Sequence, residues 1–259
     1  MQKAVLLLGA LVFLFGCTAS PQGLLYYEIV LEKSGCKPYC SLEYIVLSNG
    51  LVMKKQSNSQ TVIENTIEIV KTTPEKAAQA IKFAQDNLSE QKFDKCNSCD
   101  QFVFFTNKKP DLFMFVSRQE EAPDFLNKIF ENSQNLFSGG EKVEQFFVQF
   151  VFKKIGKNAV DYHFYPDGSV VKETYVGSSQ ELAGADAFML NGQQLGFLKS
   201  QITGGLFDSK SGLENCQKNG LEYGYLEVLR DGEYIFEWTC GTRASKVDTV
   251  FNEYLREFG

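Results

Sequence analysis

Two segments of the chain share one hairpin pattern, and this repetition limits the possible folds more than any other feature. LEYIVLSNGLVMKK at 42–55 aligns with VDYHFYPDGSVVKE at 160–173, an offset of 118 residues. An Asn-Gly pair at 49–50 and an Asp-Gly pair at 167–168 lie at the same place in the two segments. Such pairs between apolar runs favour tight hairpin turns because their residues tolerate positive φ. The sequence therefore predicts a tandem duplication of a hairpin-rich unit.

Each unit is expected to contain the same order of elements. The first, residues 24–137, is interpreted as four strands, a helix opened by Thr73 and Pro74, two strands and a second helix. A linker at 138–144 precedes the second unit, residues 145–259, which repeats this order. Hairpins with helices set apart from them are typical of an α+β fold. We therefore predict two tandem α+β domains, each of order ββββαββα.

The first 16 residues have the layout of a secretory signal peptide. Lys3 precedes an uncharged apolar run, and the small residue Gly16 ends this run. A helix that crosses a bilayer needs roughly 20 apolar residues, so the run is too short to be a membrane span. We therefore expect residues 1–16 to direct export and to be removed.

Residues 14–17, Leu-Phe-Gly-Cys, resemble the lipobox of prokaryotic lipoproteins. The resemblance implies that Cys17 receives a diacylglyceryl group and becomes the N-terminus of the mature chain. Two or more acyl chains hold a protein stably on a membrane, whereas one chain holds it only marginally. Residues 17–23 would then be the lipidated cysteine and a short tether to an extracytoplasmic body. An uncleaved anchor, or cleavage after a later small residue such as Ala19, is the alternative.

The charge of the mature chain limits its partners. Removal of the signal takes away one of the 26 basic residues and none of the 32 acidic ones, so 25 basic residues remain and the formal charge is −7. A chain with this excess of acid repels nucleic acid, which is therefore not an expected partner. The expected partners are the membrane, through the lipid on Cys17, and a protein or another envelope component.

Six cysteines remain when Cys17 is set aside, and an even number outside the cytoplasm is typical of disulfides. Cys216 starts one arm of a predicted hairpin and Cys240 ends the other arm. The two ends of such a hairpin are neighbours, so we expect a Cys216–Cys240 disulfide.

The other four cysteines, Cys36, Cys40, Cys96 and Cys99, are called the cysteine quartet. Their spacings, with three and two intervening residues, also suit four thiolate ligands of zinc. If 51–71 forms two strands, both pairs lie at one end of the sheet, and if it forms one strand they lie at opposite ends. The second unit lacks the quartet, so metal is not needed to hold the architecture. We expect disulfides of open connectivity, with zinc or free thiols as the alternatives.

The segment SGCKPYCSLEYIVLSNGLV, with the second hairpin arm and the Pro-started helix that follow it, is similar to an uncharacterised family of domains in prokaryotic exported proteins. The signature of that family is a first strand, a Cys-x₃-Cys loop, a strand that contains Tyr, and a Gly turn. The resemblance covers residues 24–137. It implies the same element order and export, and it implies no activity.

No motif in the chain indicates a catalytic reaction. A nucleophile elbow, a phosphate-binding loop and an HExxH helix are all missing from the sequence. The single histidine, His163, lies in a predicted strand and is expected to be structural, and Glu43 is expected to be solvated. We therefore expect a non-catalytic binding or scaffold module without a cofactor. The alternative is a zinc-binding factor or an envelope enzyme that uses the cysteine quartet.

Overall fold

The chain is described by a computed structural model. The described residues are 23–35, 40–58, 65–88, 92–93, 99–107, 113–153, 159–176, 181–203, 223–230 and 233–240. The predicted signal at 1–16 and Cys17 lie outside these ranges. Among the described helices, none has the length and apolar character needed to cross a membrane.

Strands outnumber helices in the described part of the chain. In chain order the elements are β1 Tyr26–Glu32, β2 Ser41–Leu47, β3 Leu51–Ser57, β4 Asn65–Lys71, α1 Pro74–Asp86, β5 Lys92–Phe93, β6 Gln101–Thr106, β7 Phe113–Arg118, α2 Asp124–Ser138, β8 Glu141–Lys142, β9 Phe147–Lys153, β10 Ala159–Phe164, β11 Ser169–Val176, β12 Glu181–Met189, α3 Gly192–Thr203, β13 Tyr223–Arg230 and β14 Glu233–Cys240.

The strands form two sheets. The first has eight strands in the order β5-β7-β6-β1-β2-β3-β4-β8, and the second has six in the order β12-β11-β10-β9-β13-β14. Neighbouring strands are antiparallel, apart from the two-residue parallel pairing of β5 with β7. The predicted α+β class is therefore confirmed.

Helices α1 and α2 cover the outer face of the first sheet. Alternate residues of its central strands, such as Ile29, Tyr44 and Val52, are buried under them. Thr73 caps α1 through its Oγ1, which accepts the Lys76 N–H at 3.4 Å. Burial of a large apolar side chain contributes about 1.5–3 kcal/mol, so this layer supplies a large share of the stabilising free energy. The helices contribute Ala77, Ala80, Ile81, Ala84, Leu126, Ile129 and Phe130.

The two sheets pack face to face, and α3 covers the outer face of the second sheet. Leu198 of α3 is buried with Val148 and Tyr162 of that sheet. The layers are thus helices, sheet, sheet and helix. The apolar part of the layer between the sheets consists of Tyr26, Ile45, Leu47, Leu51, Met53, Ile67 and Ile69 with Phe147, Tyr165, Val171, Ala187 and Leu229.

A glycine with positive φ ends the turn after β2 and the turn after β10. Gly50 has φ +93 and Gly168 has φ +88. Their carbonyl oxygens accept the N–H groups of Thr72 at 2.8 Å and Leu190 at 2.7 Å. A Cβ at Gly50 would lie 2.3 Å from the Thr72 oxygen, so the turn excludes a side chain there. The two turns thereby fix the chain just before α1 and just before α3.

Candidate functional site

Beyond the apolar part of the layer between the sheets lies a set of largely buried polar side chains, which we call the charged layer. They lie on the inward face of strands of both sheets, the same face that carries apolar residues such as Ile45 and Met53. Their members are Glu28, Glu43 and Lys55 from the first sheet and Gln149, Asp161, His163, Glu173 and Glu227 from the second.

An ion pair joins the two sheets through this layer. The Lys55 ammonium donates to the Glu227 carboxylate and, at 2.8 Å, to Gln149 Oε1. The two paired side chains are 13% and 2% exposed. Burial alone would lower the pKa of Lys55, but the carboxylates of Glu227 and Glu43 outweigh it and raise that pKa. Lys55 is therefore held in its charged form.

His163 is the second cation of the charged layer, and its side chain is 3% exposed. Its Nε2 lies 3.1 Å from Asp161 Oδ1, an ion-pair distance, yet neither ring nitrogen makes a well-oriented hydrogen bond to a described residue. Burial opposes the charge, but the Asp161 carboxylate, with Glu173 and Glu43 beyond it, raises the pKa of His163 to about 9. The imidazole is therefore protonated at neutral pH.

Burial raises the pKa values of three glutamates of the layer, Glu28, Glu43 and Glu173. Desolvation raises the pKa of Glu173, and the nearby His163 cation opposes that shift. The Glu173 carboxyl accepts hydrogen bonds from Tyr26 at 2.6 Å and Tyr175 at 2.5 Å. Desolvation also raises the pKa of Glu28, followed by repulsion from Glu173, and Glu28 Oε2 makes no hydrogen bond with the described residues.

The charged layer offers these groups to one another rather than to solvent. Glu28, His163 and Glu227 are all under 9% exposed. Within the described ranges no three His, Cys, Asp or Glu side chains are placed to hold a metal ion. The arrangement can retain charge and protons, and its cross-sheet contacts can fix how the sheets align.

A second polar set lines a groove between α1 and α2, on the opposite face of the first sheet. The groove has a volume of about 380 Å³. Its lining includes Lys76, Gln79 and Phe83 from α1 with Asn132, Asn135 and Leu136 from α2, and we call it the amide groove. The carboxamides of Gln79, Asn132 and Asn135 and the ammonium of Lys76 make no hydrogen bond or ion pair to any described residue.

The cysteine quartet is described in part, and its two described members lie at the same end of the first sheet. Glu32 pairs with Ser41 on one side and Gln101 on the other, and Cys40 and Cys99 follow just outside these partners. This agrees with the separation of residues 51–57 and 65–71 into two antiparallel strands. Lys33 also joins the two sides, because its N–H donates to the Cys40 carbonyl at 2.7 Å and its Nζ to Asp100 at 2.8 Å.

The side chains of Cys40 and Cys99 are in disulfide linkages. Their pairing stays a prediction because Cys36 and Cys96 lie outside the described residues. The Cys216–Cys240 disulfide also stays a prediction, because Cys216 lies outside them and only the backbone of Cys240, at the end of β14, is described.

The sequence interpretation identified neither polar site. Glu43, expected to be solvated, is half-buried on the inward face of β2, where desolvation raises its pKa. Its inward position could have been found from alternation with Ile45. The groove residues repeat at i, i+3, i+4 and i+7 on both helices (76, 79, 80, 83 and 132, 135, 136, 139), a spacing that places them on one helical face.

Comparison with family models and with curated proteins gives no relative from which a function could be transferred. No family model matches the chain, and no curated protein matches it. The resemblance to the exported domain family therefore stays a prediction that depends on the quoted residues.

Proposed function

We propose that this chain is a lipid-anchored, extracytoplasmic binding module whose anchor is Cys17. The observation that carries the proposal is the attachment of Leu24 to both sheets. Leu24 N–H donates to the Ala187 carbonyl of the second sheet at 2.9 Å, and Asn107 Nδ2, next to β6 of the first sheet, donates to the Leu24 carbonyl at 2.7 Å. A tether of six residues, 18–23, spans at most about 20 Å, so the anchor would hold the body close to the membrane.

The proposal gives the body an orientation. The tether enters at the end that carries the Asn49 and Asp167 turns, whereas Cys40 and Cys99 lie at the far end of β1. Leu25 is 38% exposed and Met189 is 47% exposed, and both lie at the tether end. Exposed apolar side chains are suited to a membrane-facing surface. The cysteine end would then face away from the membrane.

The same proposal includes a duplicated origin of the two sheets. The hydrogen bond that leaves the Gly50 turn has an equivalent at the Gly168 turn, with both of its residues shifted by 118 positions. The first residues of α1 and α3, Pro74 and Gly192, are also 118 positions apart. Asn49 and Asp167 are also equivalent, and Asn49 Nδ2 donates to Asp167 Oδ2 at 2.9 Å. These correspondences support two tandem units whose equivalent turns meet.

Disulfides are the proposed state of the six cysteines. The linkages of Cys40 and Cys99 support this state over a zinc site, because a disulfide sulfur is not a thiolate ligand. Such bonds form outside the cytoplasm, in agreement with an exported chain. No observation favours the enzymatic alternative.

The anchor is tested by expressing the full chain in a bacterial host and measuring the mass of the N-terminal peptide of the membrane-extracted protein. We expect the chain to begin at Cys17 and to carry a diacylglyceryl group, and we expect Cys17→Ser to lose the lipid and leave the detergent phase. Thr18→Ser is the control, because it keeps the cysteine. An unmodified Cys17, or a membrane fraction that Cys17→Ser leaves unchanged, would reject the anchor.

A further inference from the structure

The amide groove has hydrogen-bonding capacity that no described residue uses. Each of the three carboxamides, on Gln79, Asn132 and Asn135, offers two donor hydrogens and an acceptor oxygen. They converge with half-buried Phe83 and Leu136, which also pack against the core of the first sheet. Polar groups around an apolar floor are the usual composition of a small-molecule site.

The charge of the lining indicates the charge of the ligand. Lys76 is the one charged side chain among the described residues that line the groove, and none of these residues carries a carboxylate. Recognition of phosphate or of an acidic motif uses clustered arginines, and a cationic ligand needs carboxylates. The lining therefore suits a neutral ligand that is dense in donors and acceptors.

Common modes of peptide recognition do not match this groove. An extended peptide adds to the edge of a sheet, whereas this groove lies between two helices. An amphipathic helical peptide needs a long apolar groove, and three carboxamides interrupt this one. The volume of about 380 Å³ lies near the lower end of the usual range for small-ligand pockets.

We propose that the amide groove is a binding site for a neutral saccharide. Carboxamides can donate to one sugar hydroxyl and accept from its neighbour, and the ring of Phe83 with the side chain of Leu136 can contact the C–H groups of the sugar. The inference depends on the proposed binding function and names its ligand class. It does not depend on the lipid anchor.

The test is calorimetric titration of the full mature chain, purified in detergent, with chitotriose, maltotriose and mannotriose. At least one should bind with a Kd of about 0.1–10 mM, the weak range expected of a small open site. Asn135→Ala and Gln79→Ala should each weaken that binding at least ten-fold. Trigalacturonic acid should bind less tightly than the neutral sugar, because its three carboxylates would meet one cation, Lys76, on a chain with an excess of acidic residues.

Asn127→Ala is the matched control, because Asn127 is also an exposed asparagine of α2 but does not line the groove. It should leave the Kd unchanged. Absence of binding by all three neutral trisaccharides, equal binding by Asn135→Ala, or preference for the acidic sugar would overturn the proposal. Lipid attachment, with Cys17→Ser as the reference, and sugar binding are measured separately, so the two proposals can fail independently. If the chain is lipidated and no sugar binds, the groove proposal fails and the anchor stands. If the chain carries no lipid and the sugar binds, the anchor fails and the groove proposal stands.

Discussion

The charged layer and the amide groove both collect polar side chains, and they differ in what those side chains contact. In the charged layer Lys55 contacts Glu227 and Gln149, and His163 lies beside Asp161. In the amide groove the carboxamides of Gln79 and Asn135 are exposed, and no described residue bonds them.

Polar groups that stabilise this fold can thus be distinguished from polar groups that a ligand can reach. Raised pKa values and deep burial are often used to find functional sites, and both occur in the charged layer. There, however, the perturbed groups contact one another across the two sheets, so their effect falls on stability and on sheet alignment. In the groove, by contrast, the donors and acceptors are available to a ligand.

Loss of the cross-sheet ion pair should have the largest effect on stability. Lys55→Ala leaves the Glu227 carboxylate, which is 2% exposed, without its cation. Removal of one partner of a buried ion pair costs about 3–5 kcal/mol of unfolding free energy. Urea denaturation measures this loss. The double variant Lys55→Met, Glu227→Leu should recover most of it, and a double variant as unstable as Lys55→Ala would contradict the assignment.

Removal of the imidazole should flatten the dependence of stability on pH. The pKa of His163 is raised from 6.5 to about 9, so its contribution is complete below pH 6.5 and is lost as pH rises through 9. The size of that loss is about 3 kcal/mol at most. Denaturation of His163→Gln from pH 6 to 9.5 should therefore show a shallower decline than the wild type. Parallel curves would mean that His163 is not charged.

Replacement of Glu28 by its neutral isostere should stabilise the protein. Desolvation raises the pKa of Glu28, so the wild type loses stability as pH rises above the unfolded value of 4.5 toward the higher folded one. Glu28→Gln removes this loss and should raise the unfolding free energy by about 1 kcal/mol at pH 8. At pH 4 the two proteins should be nearly equal. Equal stability at both pH values would show that Glu28 is not desolvated.

Substitution in the groove should have the smallest effect on stability. Asn135 is exposed and its carboxamide has no described partner, so Asn135→Ala should change the unfolding free energy by less than about 0.5 kcal/mol. Thermal denaturation beside Asn127→Ala checks this. A loss above about 1 kcal/mol would assign the carboxamide a structural role and would erase the contrast with the charged layer.

Local chemistry made part of the fold predictable. The glycine turns at Gly50 and Gly168 and the cap of α1 at Thr73 each follow from the preferences of one or two residues. These features depend on neighbours in sequence.

The polar sites depend on neighbours in space, which is why the sequence did not reveal them. The sequence around Lys55 suggests a surface residue, because its partner Glu227 is 172 positions away and faces it from the other sheet. Asn132 and Asn135 lie on an ordinary helix face in the sequence, and only the fold places Gln79 of α1 opposite them. A charge is buried in a strand without a large cost only when its partner is present, and the sequence of that strand does not identify the partner.

The most direct test of this contrast is the chemical-shift map of the mature chain titrated with the neutral trisaccharide that binds most tightly. Here ¹H–¹⁵N spectra record the backbone amides and the side-chain amides of Gln79, Asn132 and Asn135 at once. We expect shifts confined to residues 72–83 and 132–139, with the signals of Glu28, Lys55 and His163 unchanged. Shifts centred on the charged layer, or no shift at the three carboxamides, would contradict this expectation.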